Sequence, residues 1–155
     1  MPLKKFPYKS IEKLITDNLS FEEWEGTIFK IKELQAAKKR GWLTKDDLII
    51  VCYWKSPRAI HYIKSNRSNT IKKVTEAALN SRTEEFKMTE LVKLKGVSIP
   101  MASAILMLTN PKRYGVIDIR VWEVMFYTGT VQTNSKGVNF VCRQIKVNFL
   151  LESVS

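Results

Sequence analysis

The stretch from Leu94 to Trp122, LKGVSIPMASAILMLTNPKRYGVIDIRVW, constrains this chain more than any other. Two apolar helical runs, LVKL and PMASAILML, are separated only by a short turn centred on Gly96. Helices joined so closely pack as an αα-hairpin. A loop with Pro and Gly, NPKRYG, follows, and then Asp118 stands in an apolar frame just ahead of another helix. The first N–H groups of the hairpin's second helix have no partner within the helix, and together with the helix dipole they attract an anion. Gly96 can take a positive φ and let the backbone approach such an anion closely. The same turn is also ordinary packing between helices.

Charge decides what kind of anion matters. The 155 residues carry 26 Lys and Arg against 15 Asp and Glu, for a net charge of +11. That excess favours a polyanionic partner, nucleic acid first and an anionic membrane surface second. Lys93, Lys95, Lys112 and Arg113 flank the hairpin and its following loop. A solvated basic face is the plain alternative.

The apolar spacing is helical almost throughout, which predicts an all-α fold in one domain, as a single body or as two lobes. Ile11, Leu14 and Ile15 share a face over residues 10–18. Ser20 and Glu23 read as a capping box for a long helix reaching about Arg40 and stopped by Gly41. Thr44 and Asp47 cap a third helix, DDLIIVCYW, and Ser56-Pro57 opens a fourth. Residues 66–69 read as a polar turn, 71–79 as a helix, and 81–86 as a connector to the helix TELVKL. Pro100 opens the next helix and Asn110-Pro111 ends it. Ile119 to Tyr127 forms another, closed by Gly129, although VIDIRVW is β-branched enough to be a strand. The segment 130–137 is polar, and Phe140, Val141, Ile145 and Phe149 repeat at helical spacing beyond it.

Several chemistries are excluded. No apolar run approaches the roughly 20 residues that span a bilayer, and MPLKKFPYKS lacks the apolar core of a secretory signal. Cys52 and Cys142 are the only cysteines and read as reduced core residues of an intracellular protein. They cannot hold an iron–sulfur cluster, nor zinc unaided. His61 is the only histidine, which removes a His-based triad or a multi-His metal site. A surface or packing role is expected for it.

Asp118 has a chemical rationale of its own. Breaking an N-glycosidic bond builds positive charge on the sugar, and a carboxylate in a low-dielectric pocket stabilises that charge and can orient a water. Val116, Ile117, Ile119 and Val121 around it are expected to raise its pKa. Its local sequence fits a helix N-cap equally well.

Hairpin, loop and acid together resemble the helix-hairpin-helix DNA glycosylase superfamily, over roughly residues 91–122. That family carries a hairpin like LPGVG, a Gly/Pro-rich loop, and an Asp in a segment like VPVDVHMW. LKGVS and GVIDIRVW stand in those places here, and Trp122 matches as well. The resemblance implies a two-lobed helical fold that binds double-stranded DNA through Lys93, Lys95, Gly96, Ser98, Lys112 and Arg113. It puts Asp118 at the catalytic aspartate and a monovalent cation on the backbone carbonyls of Val92, Leu94 and Val97, with no other cofactor. Lys95 replaces the hairpin's usual Pro and Ser98 its second Gly. Bifunctional members attack the sugar with a lysine two residues after that Gly, where this chain has Pro100. The resemblance therefore implies a monofunctional enzyme of base excision repair, with water as nucleophile.

Two other functions fit the same residues: a non-catalytic DNA-binding module on this fold, and a helical protein-interaction domain whose charge is incidental. Release of free base separates the first from an enzyme; salt-dependent DNA affinity separates the second from both. The segment Trp54-Lys55-Ser56-Pro57-Arg58 could stack on a base and hold a phosphate. The commoner outcome, expected here, is a core Trp54 with Lys55 and Arg58 facing solvent; Trp24 and Trp42 are expected in the core as well.

Overall fold

The structure is a computed structural model and describes residues 6–18 and 25–130. Its secondary structure over these residues is entirely helical: α1 (Ile11–Asn18), α2 (Glu25–Glu33), α3 (Gln35–Arg40), α4 (Lys45–Lys55), a 3₁₀ turn (Pro57–Ala59), α5 (Ile60–Lys64), α6 (Ser68–Asn80), α7 (Glu84–Leu91), α8 (Ile99–Thr109) and α9 (Ile119–Tyr127). VIDIRVW is thus a loop running into a helix, and no strand occurs among the described residues. The expected capping box at Ser20 and Glu23, Trp24, Cys142 and the helical pattern beyond 136 lie outside the described residues.

The hairpin's second helix is the centre of the fold. Met101, Ala102, Ser103, Ala104, Ile105, Leu106, Leu108 and Thr109 of α8 are all buried, which explains an apolar sequence with no polar face. Helix α8 packs against α2, α3, α4 and α7. Leu34, Leu48, Val51, Ile63, Ile71 and Leu91 complete the core around it, each fully buried. Each such side chain contributes about 1.5–3 kcal/mol relative to an exposed one.

Caps and turns set the boundaries, and several differ from expectation. Thr44 and Asp47 do form a capping box on α4, and Gly41 ends α3 at φ 79°. The long second helix breaks at Leu34, where the Gln35 side-chain amide donates to the Ile31 carbonyl at 3.0 Å and competes with the backbone. Pro57 opens a 3₁₀ turn before α5 rather than an α-helix directly. Helix α6 begins at Ser68, so the polar turn before it is Ser65, Asn66 and Arg67, and Asn66 is buried. Helix α7 begins at Glu84, within the expected connector, and TELVKL leaves the helix after Leu91. Trp42 is half-buried rather than core, with the Arg40 guanidinium 5.0 Å and the Lys72 ammonium 4.7 Å from its ring centre. Trp54 packs against the core from a half-buried position, Cys52 is buried, and His61 is exposed.

Candidate nucleotide-binding cleft

The loop between α7 and α8 is held from outside the hairpin. Asn66 donates from Nδ2 to the Lys95 carbonyl and accepts the Lys95 N–H on Oδ1, both at 2.9 Å. The same Nδ2 lies 3.0 Å from the Ile63 carbonyl, so one buried amide joins the end of α5 to the hairpin tip. Gly96 then turns the chain at φ 81°. A Cβ there would sit 2.9 Å from the Tyr62 Cβ and 3.2 Å from the Ile63 nitrogen. Glycine is required first by helix α5, and approach to a ligand is not the dominant constraint. Ser98 starts α8 in extended geometry without capping it through its hydroxyl.

Asp118 is brought to the same place by a buried serine. Ser103 on α8 accepts the Ile117 N–H on its hydroxyl at 3.0 Å and donates to the Pro100 carbonyl at 2.8 Å. This fixes the chain beside the start of α8, and Asp118 follows directly. Its Oδ1 accepts the Arg120 and Val121 N–H groups, each at 3.0 Å, and so caps α9. Its Oδ2 faces Lys55 Nζ at 3.5 Å. Lys55 reaches it because Ser56-Pro57 stops α4, leaving the lysine in the last turn where the helix dipole favours a cation.

The pKa of Asp118 moves opposite to expectation. The Val121 N–H, opposed by burial and helped by Lys55 and the Arg120 N–H, holds the carboxyl below its ordinary value. The apolar residues around it do not dominate, because Ile119 is 49% exposed and the carboxylate meets two amides and an ammonium first.

These elements enclose one cleft of about 390 Å³. The hairpin supplies Gly96, Ser98, Pro100 and Met101; α9 and its cap supply Asp118, Ile119 and Arg120; the end of α4 and the 3₁₀ turn supply Lys55, Ser56, Arg58 and Ala59. Lys55 and Arg58 therefore share a cleft with Asp118, where simple exposure to solvent was expected. Arg120, Asn66 and Ser103 were missed as site residues, and Arg58 was weighed only as a phosphate contact beside Trp54 and then expected to face solvent. Nothing in the linear order of the chain marks the first three, because they meet only through the packing of the helices that carry them.

The other expected contacts lie elsewhere. Lys93, Lys95, Lys112 and Arg113 are exposed and do not line this cleft. Lys93 pairs with Glu90. Arg113 donates to Glu84 at 2.5 Å, and Glu84 is buried with Tyr114 and Lys87 in one polar cluster. Among the backbone carbonyls, Leu94 accepts the Val97 N–H at 3.1 Å, while those of Val92 and Val97 accept no backbone N–H among the described residues. No group of acidic, Cys or His side chains suited to a metal occurs among the described residues, and none of their helices is long and apolar enough to cross a membrane.

No family model, curated protein or solved structure matches this chain.

Proposed function

We propose that this chain is a monofunctional DNA glycosylase-like protein that binds duplex DNA, turns a damaged base out of the stack and hydrolyses its N-glycosidic bond. The observation that carries the proposal is the meeting of hairpin and acid: Gly96, Ser98 and Pro100 line one cleft with Asp118, Lys55, Arg58 and Arg120. Its volume falls within the range of small-molecule sites, suited to a flipped nucleoside. The described residues are all-helical, as this reading requires.

In this mechanism the hairpin and the surrounding cations grip the DNA backbone. Asp118 is anchored through Oδ1 by the α9 amides, which leaves Oδ2, beside Lys55 Nζ at 3.5 Å, to support the positive charge that develops on the sugar and to hold the attacking water. Fixing one carboxylate oxygen removes the need to reorganise during the reaction. Pro100 offers no amine, so no covalent sugar adduct forms at that position.

A non-catalytic DNA-binding module is the second reading, and the cap itself favours it, since N-capping alone accounts for an Asp at this position. A panel of duplexes, each with one damaged base, separates the two. Free base and an intact abasic strand support the enzyme; DNA binding without base release supports the module.

A further inference from the structure

We propose that Lys55 is the general acid of the reaction, giving its proton to the departing base while Asp118 takes one from water. This assignment rests on the glycosylase proposal and adds a second catalytic group to it.

Lys55 Nζ lies 3.5 Å from Asp118 Oδ2, and its side chain is 18% exposed. That separation is longer than the 2.7–2.9 Å or so of a tight charge-assisted hydrogen bond. The ammonium has three N–H donors, and Asp118 is its one ion-pair partner among the described residues. It is held near the acid with donors to spare, in the cleft that would take the nucleoside.

Electrostatics then decides which part of the substrate it serves. A cation beside the sugar would oppose the positive charge that Asp118 is placed to stabilise. The same cation beside the base complements the negative charge that collects on the leaving nitrogen. Lysine and aspartate thus match the two ends of the breaking bond.

The steps balance. The C1′–N bond breaks with its electron pair going to the base nitrogen, which takes a proton from the Lys55 ammonium. Water oxygen bonds to C1′ and gives its proton to Asp118 Oδ2. That proton then returns across the cleft to the Lys55 amine. One water is consumed, a neutral base and a sugar hydroxyl are formed, and both side chains regain their starting charge.

The test compares leaving groups under single-turnover conditions. One set of duplexes carries a neutral lesion (uracil, hypoxanthine or 8-oxoguanine), whose base needs a proton to leave as a neutral molecule. The other carries 7-methylguanine, which is cationic and leaves neutral without one. Lys55→Met should slow release of neutral lesions by about 10² or more, the usual contribution of a positioned acid, and that of 7-methylguanine by less than about tenfold. Lys55→Arg keeps the positive charge beside Asp118 but cannot give up a proton, so it should keep the wild-type thermal midpoint without restoring the neutral-lesion rate. Equal losses on both sets, or rescue by Lys55→Arg, would overturn the assignment and leave the glycosylase intact. So would a wild type that releases only 7-methylguanine. A wild type that releases no base at all removes the glycosylase proposal, and the role of Lys55 with it.

Discussion

Asn66 pairs with the backbone of Lys95 as one strand pairs with another, with N–H to oxygen bonds of 2.9 Å in both directions. Asn66 is 6% exposed, so its amide has exchanged water for these bonds and those to the end of α5. Asn66→Ala leaves the Lys95 N–H and carbonyl without their partner, and a loss of about 1–3 kcal/mol is expected. Chemical denaturation should register that loss. Asn66→Asp keeps the acceptor but not the donor and should recover only part of it.

Gly96 should prove a folding residue before a binding one. Gly96→Val places a side chain against Tyr62 and Ile63 at a positive φ that costs an L-residue about 1–2 kcal/mol even without the clash. The chain alone suggests that DNA affinity would suffer more than folding. The contact with α5 reverses that order. The thermal midpoint of Gly96→Val should fall by more than ten degrees or so, given the few degrees expected per kcal/mol in a domain of this size. An unchanged midpoint with lost DNA affinity would restore the simpler view.

Ser103→Ala separates placement of the acid from its chemistry. The variant removes the acceptor of the Ile117 N–H and frees the segment that carries Asp118. Stability should drop by about 1–3 kcal/mol for the orphaned buried donor. Base release should fall in the folded variant while DNA affinity is kept, because Ser103 is buried away from any partner. Equal loss of binding and release would point to general unfolding instead.

The same residues mark how far the chain could be read unaided. Thr44 with Asp47, Gly41, the Gly96 turn and the span of α9 are local: spacing, capping and glycine geometry act within a few residues, so the order of the amino acids displays them. The break at Leu34 depends on a side chain, Gln35, competing with the backbone, and the early starts of α6 and α7 depend on packing between them. Asp118 could be located, but not its electrostatics. Its apolar neighbours in the chain suggest a raised pKa, whereas the Val121 N–H of its own helix lowers it, helped by Lys55, 63 positions away in sequence, and the Arg120 N–H. Arg58 and Arg120 enter the cleft by the same long-range route.

The lowered pKa of Asp118 has a consequence for stability. A carboxyl whose folded pKa lies below its unfolded value of about 3.9 stabilises the fold above that value, and the contribution disappears as pH falls through the folded pKa. Asp118→Asn retains a capping oxygen without the charge. It should therefore be slightly less stable than wild type at pH 7, by under about 1 kcal/mol because the carboxylate is 40% exposed and screened. The gap should close below about pH 3.9. A gap that widens at low pH would mean that the folded carboxyl prefers its protonated form.

Base release from the lesion panel by wild type and Asp118→Asn tests the central claim most directly, with folding and DNA affinity measured alongside. The proposed mechanism predicts free base from at least one lesion with wild type. It predicts a loss on the order of 10² or more in rate for Asp118→Asn, in a variant that stays folded and binds DNA as well as wild type or better. Release by Asp118→Asn as fast as wild type, or no release by wild type from any lesion, would contradict it and leave Asp118 as the cap of α9.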